Sequence, residues 1–328
     1  MVIDCMIHLN FTQFFQPILR TMPTHIAIIQ QGPVYSDLQK SLEKAAELAR
    51  QAKANGAQLV VFGETWLCGY PVWLDYLPKI ALWDYEPTKQ AFARMWENGV
   101  EVPSPTTSFL SELARSLGIV LGMGVNEVVR SGPGNGTIYN SFLLFDADGS
   151  LLIHHRKLMP TYTEKMLYGL GDGRGLKPAN TAIGRIGGLI CWEHFMPLSR
   201  QAMHNEGEQI HLALWPRVHE MHQVASRMYA FEGRCFVVAA GQLVRVSDLP
   251  EELPLPDELK ATPDRLLLNG GSCVVNPNGH FALEPQFNEN LIVYHTITDE
   301  SQAIRERMTL DTSGHYARPD VFEFGVRI

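Results

Sequence analysis

"THIAIIQQGPVYSDLQKSLEKAAELARQAKANGAQLVVFGE", Thr24 to Glu64, decides the fold class. Its first nine residues are an isoleucine-rich apolar run and read as a buried strand. "SDLQKSLEKAAELARQAKANG" repeats leucine and alanine at helical spacing, with Ser36 or Asp37 as cap and Gly56 as stop. "AQLVVFGE" is the next strand and ends on a glutamate. Strand, amphipathic helix and strand in succession are the signature of an α/β fold, not of segregated strands and helices.

Outward from this unit the pattern continues. "TTSFLSELARSLG" is helical and "GIVLGMGVNE" a strand; "TIYNSFLLFDADGSLLIHHRKL" reads as two strands joined at Asp148-Gly149. "RIGGLICWE", "QIHLALWP", "CFVVAAGQ" and "GSCVVNPNGHFA" read as strands, and "PLSRQAMHNEG" and "HQVASRMYAFEGR" as helices. The acidic, proline-rich "VSDLPEELPLPDELKATPD" reads as a surface loop. Glu64, Glu127 and Cys191 each end an apolar strand, and in α/β sheets the carboxyl ends of strands form the ligand crevice.

The chain has 328 residues, 45% of them hydrophobic, and a formal net charge of -8, with no basic block interleaved with aromatics. Nucleic acid is therefore a poor partner and a small molecule a better one. The five cysteines make no CxxC pair, which points to free thiols and a cytoplasmic setting. No apolar run approaches the roughly 20 residues of a membrane span. Residues 1–21 lack a basic start and a small-residue cleavage site and read as a disordered extension, or as an over-long start where translation begins at Met22.

Cys191 lies in "RIGGLICWEHFMPLSR", Arg185 to Arg200. Two readings stay open for it. Free cysteine is among the most buried residue types, so it reads as a core thiol. Alternatively, Gly187 and Gly188 let the chain turn sharply and expose the sulfur at a helix start, which lowers a thiol pKa and offers backbone N–H groups to an oxyanion. Glu64, before the aromatic "TWLCGYP", is either a solvated carboxylate or a base for that thiol. Lys157 in "IHHRKLMPTYTEK" is either a solvated cation or a donor to a developing anion, with Glu164 holding it. Replacing such a lysine is expected to cost rate and little stability. His219 and His222 have the spacing of helix-borne metal ligands without an HExxH pattern and read as structural. Cys68, Cys235 and Cys273 read as structural too, and Gly171 and Gly173 mark a loop passing close to another part of the chain.

From about Thr24 to the C-terminus the sequence resembles the nitrilase superfamily. "VVFGETWLCGYP" is similar to its glutamate motif, "HHRKLMPTYTEKMLYGLGDG" to its lysine motif and "GGLICWEHFMPLSR" to its cysteine motif. "HRKLMPT", "CWEHFMPL" and "DTSGHYARPDVF" resemble true nitrilases and not the amidase, carbamoylase or ureidopropionase branches. The resemblance implies a four-layer α-β-β-α sandwich that pairs into homodimers or higher homo-oligomers, with one carbon-nitrogen hydrolase domain over residues 22–328. It implies Glu64 as general base, Lys157 as oxyanion stabiliser, Cys191 as nucleophile and Glu164 as second glutamate, with no metal or organic cofactor. The implied reaction takes an organic nitrile and water to a carboxylic acid and ammonia through a thioimidate and a thioester. Rivals are amide output of the cyanide hydratase or nitrile hydratase kind, an amidase of the same superfamily, and an inactive binding scaffold. Trp66, Tyr70, Trp192 and His194 are expected at the substrate, with Trp73, in a compact apolar pocket. "LPKIALWDYEPTKQAFARMWENGVEVPSP" is similar to nitrilases acting on aliphatic or arylacetonitrile substrates.

Overall fold

The opening unit forms as read. In the computed structural model, which describes residues 23–328, β1 (Thr24–Ile29) leads through α1 (Leu38–Ala54) into β2 (Leu59–Phe62). Expectations about residues 1–21, Cys5 and a start at Met22 fall outside the described residues. Asp37 caps α1 by accepting from the Lys40 N–H at 2.9 Å, and left-handed Gly56 ends it.

The chain continues with α2 (Glu86–Glu97), α3 (Pro105–Leu117), β3 (Val120–Val128), β4 (Ile138–Phe145) and β5 (Leu151–Arg156). Next come β6 (Ala179–Thr181), β7 (Gly184–Ile190), α4 (Pro197–Asn205), β8 (Ile210–Leu214), α5 (Glu220–Gly233) and β9 (Phe236–Ala240). β10 (Leu243–Arg245), α6 (Asp257–Lys260), β11 (Leu266–Val275), β12 (Phe281–Phe287), β13 (Ile292–Ile297) and α7 (Ser301–Glu306) follow. One sheet runs β13-β1-β2-β3-β4-β5, the other β10-β11-β9-β8-β7-β6 with β12 on β11. β1, β2 and β3 are parallel in the first, and β7, β8 and β9 in the second.

Side-chain alternation builds the layers. Ile26, Ile28, Phe142 and Leu144 of the first sheet pack with Leu189, Leu212 and Val238 of the second. Ala27, Ile29, Phe62, Leu143 and Phe145 point the other way, onto Leu42, Ala45 and Ala49 of α1 and Leu110 of α3. β7 shows both faces of the second sheet: a Cβ on Gly187 would collide with Met203 of α4, one on Gly188 with Phe142 of β4. The order is α-β-β-α, as expected. These glycines serve close packing between layers, not the turn at Cys191; likewise Gly171 passes against the Arg156 and Lys157 carbonyls.

Two expectations change. The acidic segment after β10 contains α6, and its Leu249, Leu253, Leu255 and Leu259 are buried with Trp73, Leu74 and Leu77 of the segment before α2 and with Met95 of α2 itself. Its leucines anchor what its charges and prolines suggested was only surface. β13, absent from the sequence reading, pairs antiparallel with β1 and completes the first sheet's edge. Among the described residues no helix is long and apolar enough to cross a membrane.

Leu212 is fully buried between the sheets. Leu212→Ala should destabilise the protein by about 2–5 kcal/mol, read from the midpoint of denaturant unfolding; a shift under about 1 kcal/mol would mean the sheets do not depend on this contact.

Candidate active site

Three strand ends deliver the chemistry. Glu64 stands two residues past β2, Lys157 directly after β5 and Cys191 directly after β7. Glu127, expected to converge with them, does not: inside β3 it accepts from Ser141 at 2.6 Å and Arg156 Nε at 3.0 Å and meets His154 Nε2 at 2.7 Å. Burial would raise its pKa, but those partners outweigh it and hold the carboxyl at about 2.

Cys191 has φ +51°, a left-handed conformation uncommon for a residue with a side chain. The strand turns there into a short 3-10 segment, Cys191–Phe195. The sulfur is buried, and burial first, then the Glu64 charge, pushes its pKa well above the ordinary thiol value. This corrects the expectation of a lowered thiol pKa: one 3-10 turn carries little helix dipole, and desolvation dominates.

Lys157 is the centre of the site. Its buried Nζ donates to Glu64 Oε1 at 2.9 Å and to Glu164 Oε2 at 2.7 Å. Burial lowers its pKa, but Cys191 when ionised, and the Glu64 and Glu164 carboxylates, overcome that and raise it, so the ammonium stays charged. Asn140 also donates to Glu64 Oε1, at 2.7 Å, while Oε2 has no hydrogen-bond partner. Burial, opposed by Lys157 and reinforced by Glu164, pushes Glu64 up to about 7. Glu164, in the turn Tyr162–Met166, also accepts from Tyr70 Oη at 2.8 Å and the Thr161 N–H at 2.9 Å. Ligand atoms of Glu64, Glu164 and Cys191 lie within 4.8 Å of one another, and the cation between the carboxylates is Lys157 itself. Removing Lys157 would leave two buried carboxylates uncompensated, a cost in stability that the sequence reading did not count.

Sequence reasoning missed two supports. Asn140 is one. The other is Glu193, whose carboxylate meets His155 Nε2 at 2.9 Å and accepts the Leu158 N–H at 2.8 Å and the Ile190 N–H at 2.7 Å. It ties the residue before the cysteine to the residue after the lysine. Burial would raise its pKa, but His155 and these N–H groups lower it.

Beside Cys191 lies a cavity of about 150 Å³. Tyr70 and Trp192 line it, with Asp75, Tyr76, Thr161, Glu164, Arg217, His219, His222 and Leu268 among the other walls. This lining is mostly polar, against the compact apolar pocket expected. Trp66 and Trp73 are not part of it. Trp66 is buried against Phe62 and donates to the Gln31 carbonyl at 2.7 Å. His194 is not part of it either; it sits under the elbow, stacked on Trp215 with ring centroids 4.6 Å apart. The rings of His219 and His222 stack at 3.6 Å, and His222 Nδ1 donates to the Arg217 carbonyl at 2.7 Å. Cys68, Cys235 and Cys273 are free and buried.

The profile of the carbon-nitrogen hydrolases matches residues 25–306. The chain is 38% identical over 304 residues to Nitrilase 2 of an unknown prokaryotic organism, covering 92% of this chain and 91% of that one. It is 36% identical over 300 residues to an aliphatic nitrilase of Sinorhizobium fredii, covering 92% and 94%. A carbon-nitrogen hydrolase of Helicobacter pylori G27 superposes with a TM-score of 0.69 at 20% identity, over 91% of this chain and 97% of that structure. The chain belongs to the carbon-nitrogen hydrolase family. It is an enzyme, and the relatives that place its branch are nitrilases.

Protonated Glu64 cannot take the thiol proton; ionised Glu64 can. Alkylation of Cys191 by iodoacetamide should therefore quicken about tenfold per pH unit up to about 7 and then level off. Glu64→Gln should slow it and remove the inflection; an inflection unchanged in that variant would assign the titration to another group.

Proposed function

We propose that this enzyme hydrolyses a small organic nitrile to the carboxylic acid and ammonia. The observation that carries the reading is the Lys157 ammonium held between buried Glu64 and Glu164 beside Cys191, which sits buried in a left-handed elbow. Glu64 Oε2, free of other bonds, takes the thiol proton as the sulfur adds to the nitrile carbon, giving a thioimidate. A water activated by glutamate adds next. Lys157 and the Trp192 backbone N–H stabilise the tetrahedral intermediate, which expels ammonia and leaves a thioester. A second water releases the acid. Expulsion of the thiolate from the same intermediate would release an amide instead.

Substrate is bounded by Tyr70 and Trp192, and likeness to an aliphatic nitrilase favours aliphatic or arylaliphatic nitriles. The four described cysteines, all buried and unpaired, suit a reducing cytoplasm. Half-exposed Met221, Val224, Met228 and Phe231 form one stripe along α5, an apolar face suited to a second copy of the chain. Met228→Asp should then shift the sedimenting species from dimer to monomer; an unchanged species would remove α5 from the interface.

Cys191→Ala should abolish ammonia release from aliphatic and arylaliphatic nitriles, while Cys68→Ala retains it. Lys157→Ala should lose about 10²–10³-fold in rate and about 3–5 kcal/mol in stability. Parallel assays with the matched amides decide the branch: amide turnover without nitrile turnover would make the enzyme an amidase.

A further inference from the structure

Beneath the elbow, four buried side chains form a chain of hydrogen bonds that none of the steps above uses. His194 Nδ1 lies 2.7 Å from the Cys191 carbonyl oxygen. A carbonyl only accepts, so Nδ1 carries the hydrogen, and neutral His194 presents a bare Nε2. That atom faces His211 Nε2 at 2.9 Å, which must therefore donate. His211 Nδ1, bare when the ring is neutral, faces Glu208 Oε2 at 2.9 Å. The proton on this contact sits either on His211, as an imidazolium facing a carboxylate, or on Glu208; with both groups fully buried the neutral pair is favoured, and the Glu208 carboxyl holds it. Its other oxygen accepts from the Tyr229 hydroxyl.

Packing fixes the rings in this register. Tyr229 stacks on His211 with centroids 3.7 Å apart, and Trp215 stacks on His194. Gly187 makes room for the carboxyl, because a Cβ there would overlap Glu208 Oε2. Burial favours neutral forms throughout, raising Glu208 to about 7 and lowering both histidines well below their ordinary value.

The end of the chain matters because a peptide unit is planar and trans. Fixing the Cys191 carbonyl fixes the direction of the Trp192 N–H in the same unit, pointing it away from His194. We infer that Glu208, His211 and His194 are positioning residues, which aim the Trp192 N–H at the oxyanion by locking the Cys191–Trp192 peptide. This rests on the proposed role of that N–H in nitrile hydrolysis.

Glu208→Gln, His211→Phe and Glu208→Ala test it. Glutamine can still donate to His211 and accept from Tyr229, so Glu208→Gln should keep kcat within about threefold of the parent. Glu208→Ala and His211→Phe should lower kcat about tenfold or more with KM within about twofold, since a misaimed donor is lost only in the transition state. Iodoacetamide alkylation of Cys191, which develops no oxyanion, should stay at the parent rate in His211→Phe; a parallel loss would show general damage to the elbow and overturn the inference. So would a Glu208→Gln variant as impaired as Glu208→Ala, which would mean a carboxylate charge is required. The tautomers are read without turnover by ¹⁵N NMR of histidine-labelled parent protein. A protonated His194 Nδ1 with a bare Nε2, and a protonated His211 Nε2 with a bare Nδ1, are expected; any other assignment overturns the chain even where a variant fails to fold. Parent protein inactive on nitriles yet showing these tautomers would refute the function and leave the hydrogen-bond chain standing.

Discussion

One ammonium group makes the site possible. A carboxylate stripped of water is costly, and two together are costlier still, because like charges at short range each raise the other's pKa. Lys157 meets both Glu64 and Glu164, while Asn140, Tyr70 and the Thr161 N–H supply further bonds. The Glu64 carboxyl is thereby left between two needs: shielded enough to want a proton, paired enough to lose it. The arrangement also depends on the packing of the two sheets. Glu64 and Lys157 come from the first sheet and Cys191 from the second, so contacts such as Phe142 on Gly188 set the distance from the Glu64 carboxyl to the sulfur.

The elbow answers to the same geometry. Cys191 is held in a left-handed conformation by what surrounds it: Glu193 grips the N–H of Ile190 on one side, and His194 grips the Cys191 carbonyl on the other. The first contact also reaches Leu158, so the nucleophile and the lysine share a brace. Backbone strain at such a point persists only where neighbours over-determine it.

How much of this was legible in the sequence follows from distance along the chain. The first strand–helix–strand unit could be read because its periodicities and caps are local, and the three motifs because each places its reactive residue inside a run of recognisable neighbours. Asn140 was missed because a single polar residue in "TIYNSFLLF" looks like a surface position until Glu64, 76 residues away, is seen to bond it. His211 in "QIHLALWP" carried the same signal, a polar side chain in an otherwise apolar buried strand. β13 went unread although Val293 and Ile297 are buried and Tyr294 between them is exposed, an alternation its polar members obscured. Trp66 and His194 were placed at the substrate because they adjoin motif residues; neighbours in sequence point to opposite sides of a turn as readily as to the same side.

The buried, protonated state of Cys191 has a consequence outside catalysis. Peroxide oxidises thiolates and largely spares thiols, so a sulfur whose pKa burial raises presents little reactive anion at rest. A nucleophile made anionic by a permanently lowered pKa would be exposed to sulfenic and sulfinic acid formation at all times. Here burial, which favours the neutral thiol, gives the resting sulfur a chemical cover.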